Sequence, residues 1–106
     1  MITNTIQELF DRKSVRVFTD REILPEEKAL ILKAAAAAPT AGNQQLYTIL
    51  DITDQELKNK LAETCDHQPF IAKAKMVLIF CADYQKWYDA FQAVDCEPRK
   101  PGPGDL

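Results

Sequence analysis

Ile6, Leu9 and Phe10 recur at i, i+3 and i+4 among polar residues, the spacing of one helical face, and Thr5-Ile6-Gln7-Glu8 has the form of a capping box. The pattern predicts a short amphipathic helix ending near Asp11 to Lys13. Val15-Arg16-Val17-Phe18 then alternates apolar and polar positions, which would send Ser14 and Arg16 to the same side of an extended segment. Pro25 suits a first helical position, Glu26 and Glu27 favour the positive end of a helix dipole, and strong helix formers continue to Ala38 before Pro39 and Gly42 stop them. Tyr47-Thr48-Ile49-Leu50-Asp51-Ile52 is rich in β-branched and aromatic residues and reads as a strand. A second capping box, Thr53-Asp54-Gln55-Glu56, precedes a helix carrying Leu57, Leu61 and Cys65 at i, i+4 and i+8. Residues 69–74 suit a short helix. The continuous apolar run 76–81 suits a strand covered on both faces, and 84–91 suits one more short helix.

After residue 96 the composition changes. Glu97-Pro98-Arg99-Lys100-Pro101-Gly102-Pro103-Gly104 cannot sustain a helix or a central strand and is expected to be a connector. A chain of 106 residues is at most one small domain, and its 46% apolar and 27% charged residues are proportions of a folding chain. The formal net charge of −3 argues against binding a nucleic-acid backbone, which needs a surplus of clustered cations. The N-terminus lacks the basic start and apolar run of a signal peptide, and no apolar stretch approaches membrane-spanning length, so a cytoplasmic protein without a membrane partner is expected. Cys65, Cys81 and Cys96 are read as free thiols. Cys65-Asp66-His67 has no second ligand pair at recognisable spacing, so no metal is expected.

Two segments carry candidate chemistry. Arg12-Lys13-Ser14-Val15-Arg16 gathers two guanidinium groups, an ammonium and a hydroxyl, the donors a phosphate monoester needs. The residues alone leave two readings open, a solvated charged face or a phosphate grip. Pro39-Thr40-Ala41-Gly42-Asn43-Gln44-Gln45 is a polar turn able to offer main-chain and amide groups to a planar ligand. The alanine run 34–38 before it serves either helix stability or close approach of another backbone or a flat ligand.

Taken together and in order, these segments resemble the flavin-binding signature of the nitroreductase family. Arg12-x-Ser14-x-Arg16 is similar to the opening motif that grips the FMN phosphate and ribityl chain, with Lys13 inside it. Pro39-Thr40-Ala41-x-Asn43-x-Gln45 is similar to the family's second flavin segment, Pro-Ser-Ser/Ala-x-Asn-x-Gln, although Leu46-Tyr47 stands where the family often has Pro and an aromatic residue. Gln68 falls where many members present an amide to the flavin ring edge. The resemblance covers nearly the whole chain. It implies an α+β fold with helices flanking a mainly antiparallel sheet, incomplete without a C-terminal half or partner chain. Residues 1–96 would be the N-terminal part of the domain and 97–106 the connector.

The resemblance further implies an FMN-dependent NAD(P)H oxidoreductase in which the nicotinamide delivers hydride to flavin N5 and leaves before a nitro compound or quinone takes its place. Members form homodimers with FMN at the interface, so the isolated chain is expected to be inactive. No residue is expected to act as an acid, base or nucleophile; the named residues would bind and orient the cofactor. The rival reading is a non-enzymatic α/β interaction module that binds an acidic or phosphorylated partner through Arg12 to Arg16.

Overall fold

The computed structural model describes residues 1–105. The first helix, α1 (Asn4–Asp11), is opened by Thr3, whose Oγ1 accepts from the Ile6 N–H at 3.3 Å. The cap therefore lies two residues before the expected Thr5, which sits inside the helix. Arg12 has extended backbone angles (φ −60°, ψ 135°) and ends α1 where the pattern placed its end. The alternating segment 15–18 forms no strand, because no strand among the described residues pairs with it.

The second helix, α2 (Pro25–Ala36), is fixed at its start by the Glu27 carboxylate, which accepts from the Leu24 N–H at 2.9 Å and from both terminal nitrogens of Arg21 at 3.1 Å. It stops two residues short of Ala38. The Ala37 N–H is shared between the Lys33 and Ala34 carbonyls, and the Ala38 N–H turns to Ala35, a tightening that precedes the conformational restriction imposed by Pro39.

Strand β1 (Tyr47–Ile52) pairs antiparallel with β2 (Val77–Ala82), in a register running from Tyr47 opposite Ala82 to Ile52 opposite Val77. The second strand begins one residue later than the apolar run and is not covered on both faces. The sheet has two strands, and Phe80 remains 61% exposed. Between the strands, α3 (Gln55–Thr64) and α4 (Pro69–Lys73) pack on each other. Asp54 caps α3 by accepting from the Leu57 N–H at 2.8 Å.

The buried side of α3 is formed by Lys58 and Ala62, not by Leu57 and Cys65, which are exposed. The Lys58 stem crosses to α4 and its ammonium donates to the Ala74 carbonyl at 3.2 Å, so the long side chain spans the helix pair and still satisfies its charge. Helix α5 (Gln85–Ala93) follows β2. The connector then closes on itself in a 3-10 turn, Pro103–Asp105, where Arg99 grips the Asp105 carboxylate with both terminal nitrogens. No described helix is long and apolar enough to cross a membrane.

Only Ile52, Ala62 and Lys58 are buried among the described residues, whereas Leu9, Phe10 and Leu30 lie largely in solvent. The radius of gyration is 18.1 Å, against about 13 Å for a compact domain of this length. An apolar face without cover drives association. Residues 1–106 expressed by themselves should therefore self-associate or unfold without a cooperative transition. Light scattering and urea titration check this, and a monomer with a sharp transition would contradict it.

Candidate functional site

Segment 12–16 leaves the C-terminal end of α1 as irregular, exposed chain. Among the described residues, the side chains of Arg12, Lys13 and Ser14 have no hydrogen-bond or ion-pair partner, so their donors are free for a ligand. Arg16 is placed differently. Its guanidinium lies over the Phe70 ring, 5.9 Å from the centroid, and Phe18 meets the same ring edge-on at 6.2 Å. These contacts seat the cationic segment on α4, the helix whose N-cap is Gln68.

The turn before α4 is held by main-chain geometry. Asp66 and His67 both have left-handed backbone angles, with φ of 63° and 50°. The Gln68 N–H donates to the Ala62 carbonyl at 2.7 Å, and its side-chain amide donates to the Cys65 carbonyl at 2.8 Å. One N–H of the Gln68 amide is thus engaged within the chain, leaving its second N–H and its Oε1 available.

Segment 39–45 begins as α2 ends. Thr40 is extended, and its two oxygens organise the turn: the carbonyl accepts from the Asn43 N–H at 3.1 Å and Oγ1 accepts from the Gln45 N–H at 3.1 Å. Ala41 opens a 3-10 turn, Ala41–Asn43, and its carbonyl accepts from the Gln44 N–H. Gly42, Asn43 and Gln45 all have left-handed angles, with φ of 58°, 53° and 51°. Glycine adopts this region freely and asparagine tolerates it, whereas for glutamine it is strained. Gln45 Nε2 donates to Asn43 Oδ1 at 3.3 Å, so the Asn43 amide keeps its own two N–H donors free.

The structure thus brings Arg16 and Gln68 to one helix. No hydrogen bond, ion pair or aromatic contact among the described residues joins segment 12–16 to segment 39–45. The second segment is anchored instead to the sheet and to α5. Trp87 Nε1 donates to the Gln44 carbonyl at 2.5 Å, the Asp83 N–H to the Leu46 carbonyl at 2.9 Å, and Lys86 Nζ to the Tyr47 carbonyl at 2.7 Å. Thr48 Oγ1 donates to the Asp83 carboxylate at 2.5 Å. That hydroxyl, followed by the Lys86 N–H, holds the Asp83 carboxyl below its ordinary value against the opposing effect of desolvation.

Between this loop and α5 lies a cleft of about 660 Å³, with Asn43 and Leu46 on one wall and Tyr84, Trp87, Tyr88 and Phe91 on the other. The sequence reading passed over this aromatic wall. Its signal was the spacing of those four residues at i, i+3, i+4 and i+7, which puts them on one side of a helix.

The family model described as "Nitroreductase family" matches residues 9–97. The chain belongs to the nitroreductase family. It is 34% identical over 85 residues to an FMN reductase [NAD(P)H] of Bacillus subtilis, covering 80% of this chain and 34% of that protein. The NADPH-flavin oxidoreductase of Vibrio harveyi is also 34% identical over 85 residues, covering 80% of this chain and 35% of the relative. The solved structure of Bacillus megaterium NfrA2 superposes with a TM-score of 0.84 at 32% identity, covering 92% of this chain and 39% of that one. The chain spans about a third of the length of these curated relatives. As a nitroreductase family member with helices and an antiparallel strand pair, it has the α+β architecture anticipated from its motifs.

Two consequences of the loop geometry are testable. A β-carbon at Gly42 would meet Gln44 Cγ at 3.7 Å, an ordinary contact, so the obstacle to a side chain is the backbone angle and not space. In the complete protein Gly42→Ala should cost about 1–2 kcal/mol of stability and Gly42→Asn clearly less, as read by chemical denaturation.

The Asp83 carboxyl gives the second. Its pKa is lowered in the folded chain, so the stability it contributes is complete above the ordinary aspartate value of about 3.9 and is lost as pH falls through the lowered folded value. Thr48→Val removes the main stabilising donor and should move the Asp83 titration upward, which a carboxyl NMR titration measures directly. An unchanged midpoint would contradict the assignment.

Proposed function

We propose that this chain supplies the N-terminal part of an NAD(P)H-dependent FMN oxidoreductase that reduces nitro compounds, quinones or similar acceptors. Residues 1–96 contribute to the flavin domain and 97–106 connect to the rest. The observation that carries the reading is the unpartnered donor set of Arg12, Lys13 and Ser14, continued by Arg16 on the helix that Gln68 caps. The names of the family relatives, which refer to flavin reduction by NAD(P)H, support it.

These residues fit the cofactor in both charge and hydrogen-bonding capacity. Arg12, Lys13, Ser14 and Arg16 would hold the phosphate and the adjoining hydroxyls, because guanidinium and hydroxyl donors match phosphate oxygens. The free N–H donors of Asn43 and the Oε1 of Gln68 would meet complementary positions on the edge of the ring. Pro39, Thr40, Ala41 and Gln45 act one step removed, by setting the turn that carries Asn43. FMN, when bound, would supply the redox chemistry by accepting hydride from NAD(P)H and passing electrons to the acceptor in alternate half-reactions. The chain's own residues bind, orient and tune without donating a proton of their own.

The separation of segment 12–16 from segment 39–45 supports a site completed between two copies. Each copy would use its cationic segment toward one flavin and its polar turn toward another. A homodimer would also cover the apolar faces of α1 and α2.

The test is a flavin titration of the complete protein. Arg12→Ala and Arg16→Ala should each weaken FMN about tenfold to hundredfold, the loss expected for a charge-assisted contact of about 1.5–3 kcal/mol, while leaving riboflavin nearly unaffected. Equal losses for the two flavins would remove these residues from the phosphate site. A parent protein that takes up no flavin would return the cations to the acidic-partner reading.

A further inference from the structure

We infer that Trp87 is a positioning residue for the flavin: its indole N–H, bonded to the Gln44 carbonyl, holds the left-handed turn that carries Asn43. The inference deepens the flavin reading above and rests on it. Gly42, Asn43 and Gln45 are all left-handed while Gln44 between them is right-handed, with φ −72° and ψ −26°. Such a sequence of angles persists only where surrounding contacts over-determine it. Within the turn the Asn43 and Gln45 N–H groups return to Thr40 and the Gln44 N–H to Ala41, while the Gln45 carbonyl accepts from the Tyr47 N–H at 2.7 Å and joins the turn's end to β1. The Gln44 carbonyl takes part in none of these bonds.

The hold on that carbonyl comes from α5. The Gln44 carbonyl lies between left-handed Asn43 and strained Gln45, and its hydrogen bond from Trp87 ties it to a helix 43 positions later in the chain. The helix is itself immobilised at its first turn. Asp83 is bonded to Leu46 through its N–H and to Thr48 through its carboxylate, and Lys86 is bonded to the Tyr47 carbonyl and lies over the Tyr47 ring at 5.3 Å. Trp87 is therefore a donor in a fixed place, acting on the peptide that joins right-handed Gln44 to left-handed Gln45, one residue beyond Asn43. It touches the carrier of a flavin ligand and not the flavin.

The experiment compares Trp87→Phe with Phe91→Leu in the complete protein to which this chain would contribute. The first keeps an aromatic ring and removes the N–H. The second disturbs the neighbouring ring, 6.0 Å away, and leaves the N–H in place. In the flavin-free protein, Trp87→Phe should accelerate amide exchange at Asn43, Gln45 and Tyr47 by about three- to tenfold, the equivalent of one neutral hydrogen bond, with Phe91→Leu near the parent. In the flavin-loaded protein, Trp87→Phe should weaken FMN and riboflavin by the same factor, again about three- to tenfold, and shift the midpoint potential of bound FMN.

Unchanged exchange at these amides overturns the inference, and so does equal acceleration by both variants, which would assign the effect to ring packing. Faster exchange with unaltered flavin affinity and potential also overturns it, by making the bond structural only. Failure of the flavin reading is seen separately, in a parent protein that does not bind FMN at all, and it removes the inference as well.

Discussion

Antiparallel pairing of β1 with β2 is the interaction that places the loop 39–45 and the Gln68 turn where they are. Tyr47 opposite Ala82 brings the polar turn that precedes β1 against α5, which follows β2. At the other end, Ile52 opposite Val77 forces the intervening chain to double back as α3 and α4, and Gln68 stands at the bend of that return. A slip of one residue would exchange the two faces of each strand and carry Thr48 away from Asp83. The site's geometry is in this sense a property of the register, although no residue in the ladder belongs to the site except through its flanks.

Much of this was legible because it depends on short-range pattern. The strand Tyr47–Ile52 has the bounds its β-branched and aromatic content predicts, and the caps and proline at the helix starts fix α1, α2 and α3 to within a turn. What was not legible depends on competition or on distance. Thr3 and Thr5 both offer a hydroxyl, and only the folded main chain decides which reaches an orphan N–H. Lys58 reads as a surface residue by charge, yet its stem packs inward because the Ala74 carbonyl waits at the far side of α4. The left-handed angle at Gln45 is invisible in a residue type that ordinarily avoids it. Of the candidate site, the residue types were plain, but not that Arg16 would share a helix with Gln68 while Asn43 turned toward the aromatic wall of α5.

The interior explains why the local pattern succeeds while the larger packing remains open. Leu9 and Phe10 stand on one side of α1, as a buried stripe should, and yet face solvent. Phe80 and Leu50, on opposite faces of the sheet, are exposed as well. Hydrophobic periodicity specifies which face of an element seeks cover, and nothing in it specifies whether the cover comes from the same polypeptide. The two packings that the chain does complete, strand on strand and α3 on α4, are both bracketed between residues 47 and 82. This central portion carries its own contacts, with the cationic segment leaning on it through Phe70 and the aromatic helix through Lys86 on Tyr47.

The ladder's connectivity also imposes an order on assembly. Ile52 and Val77 are the partners least separated along the chain, and Tyr47 and Ala82 the most separated, so each successive rung closes a longer loop than the last. Formation of α3 and α4, joined by local contacts, shortens the span that the first rung must close, and the strands can then zip outward from that end. The polar turn and the aromatic helix lie at the opposite end and meet last. The turn that carries Asn43 is thus the latest to acquire its shape and the first to open when the ladder frays.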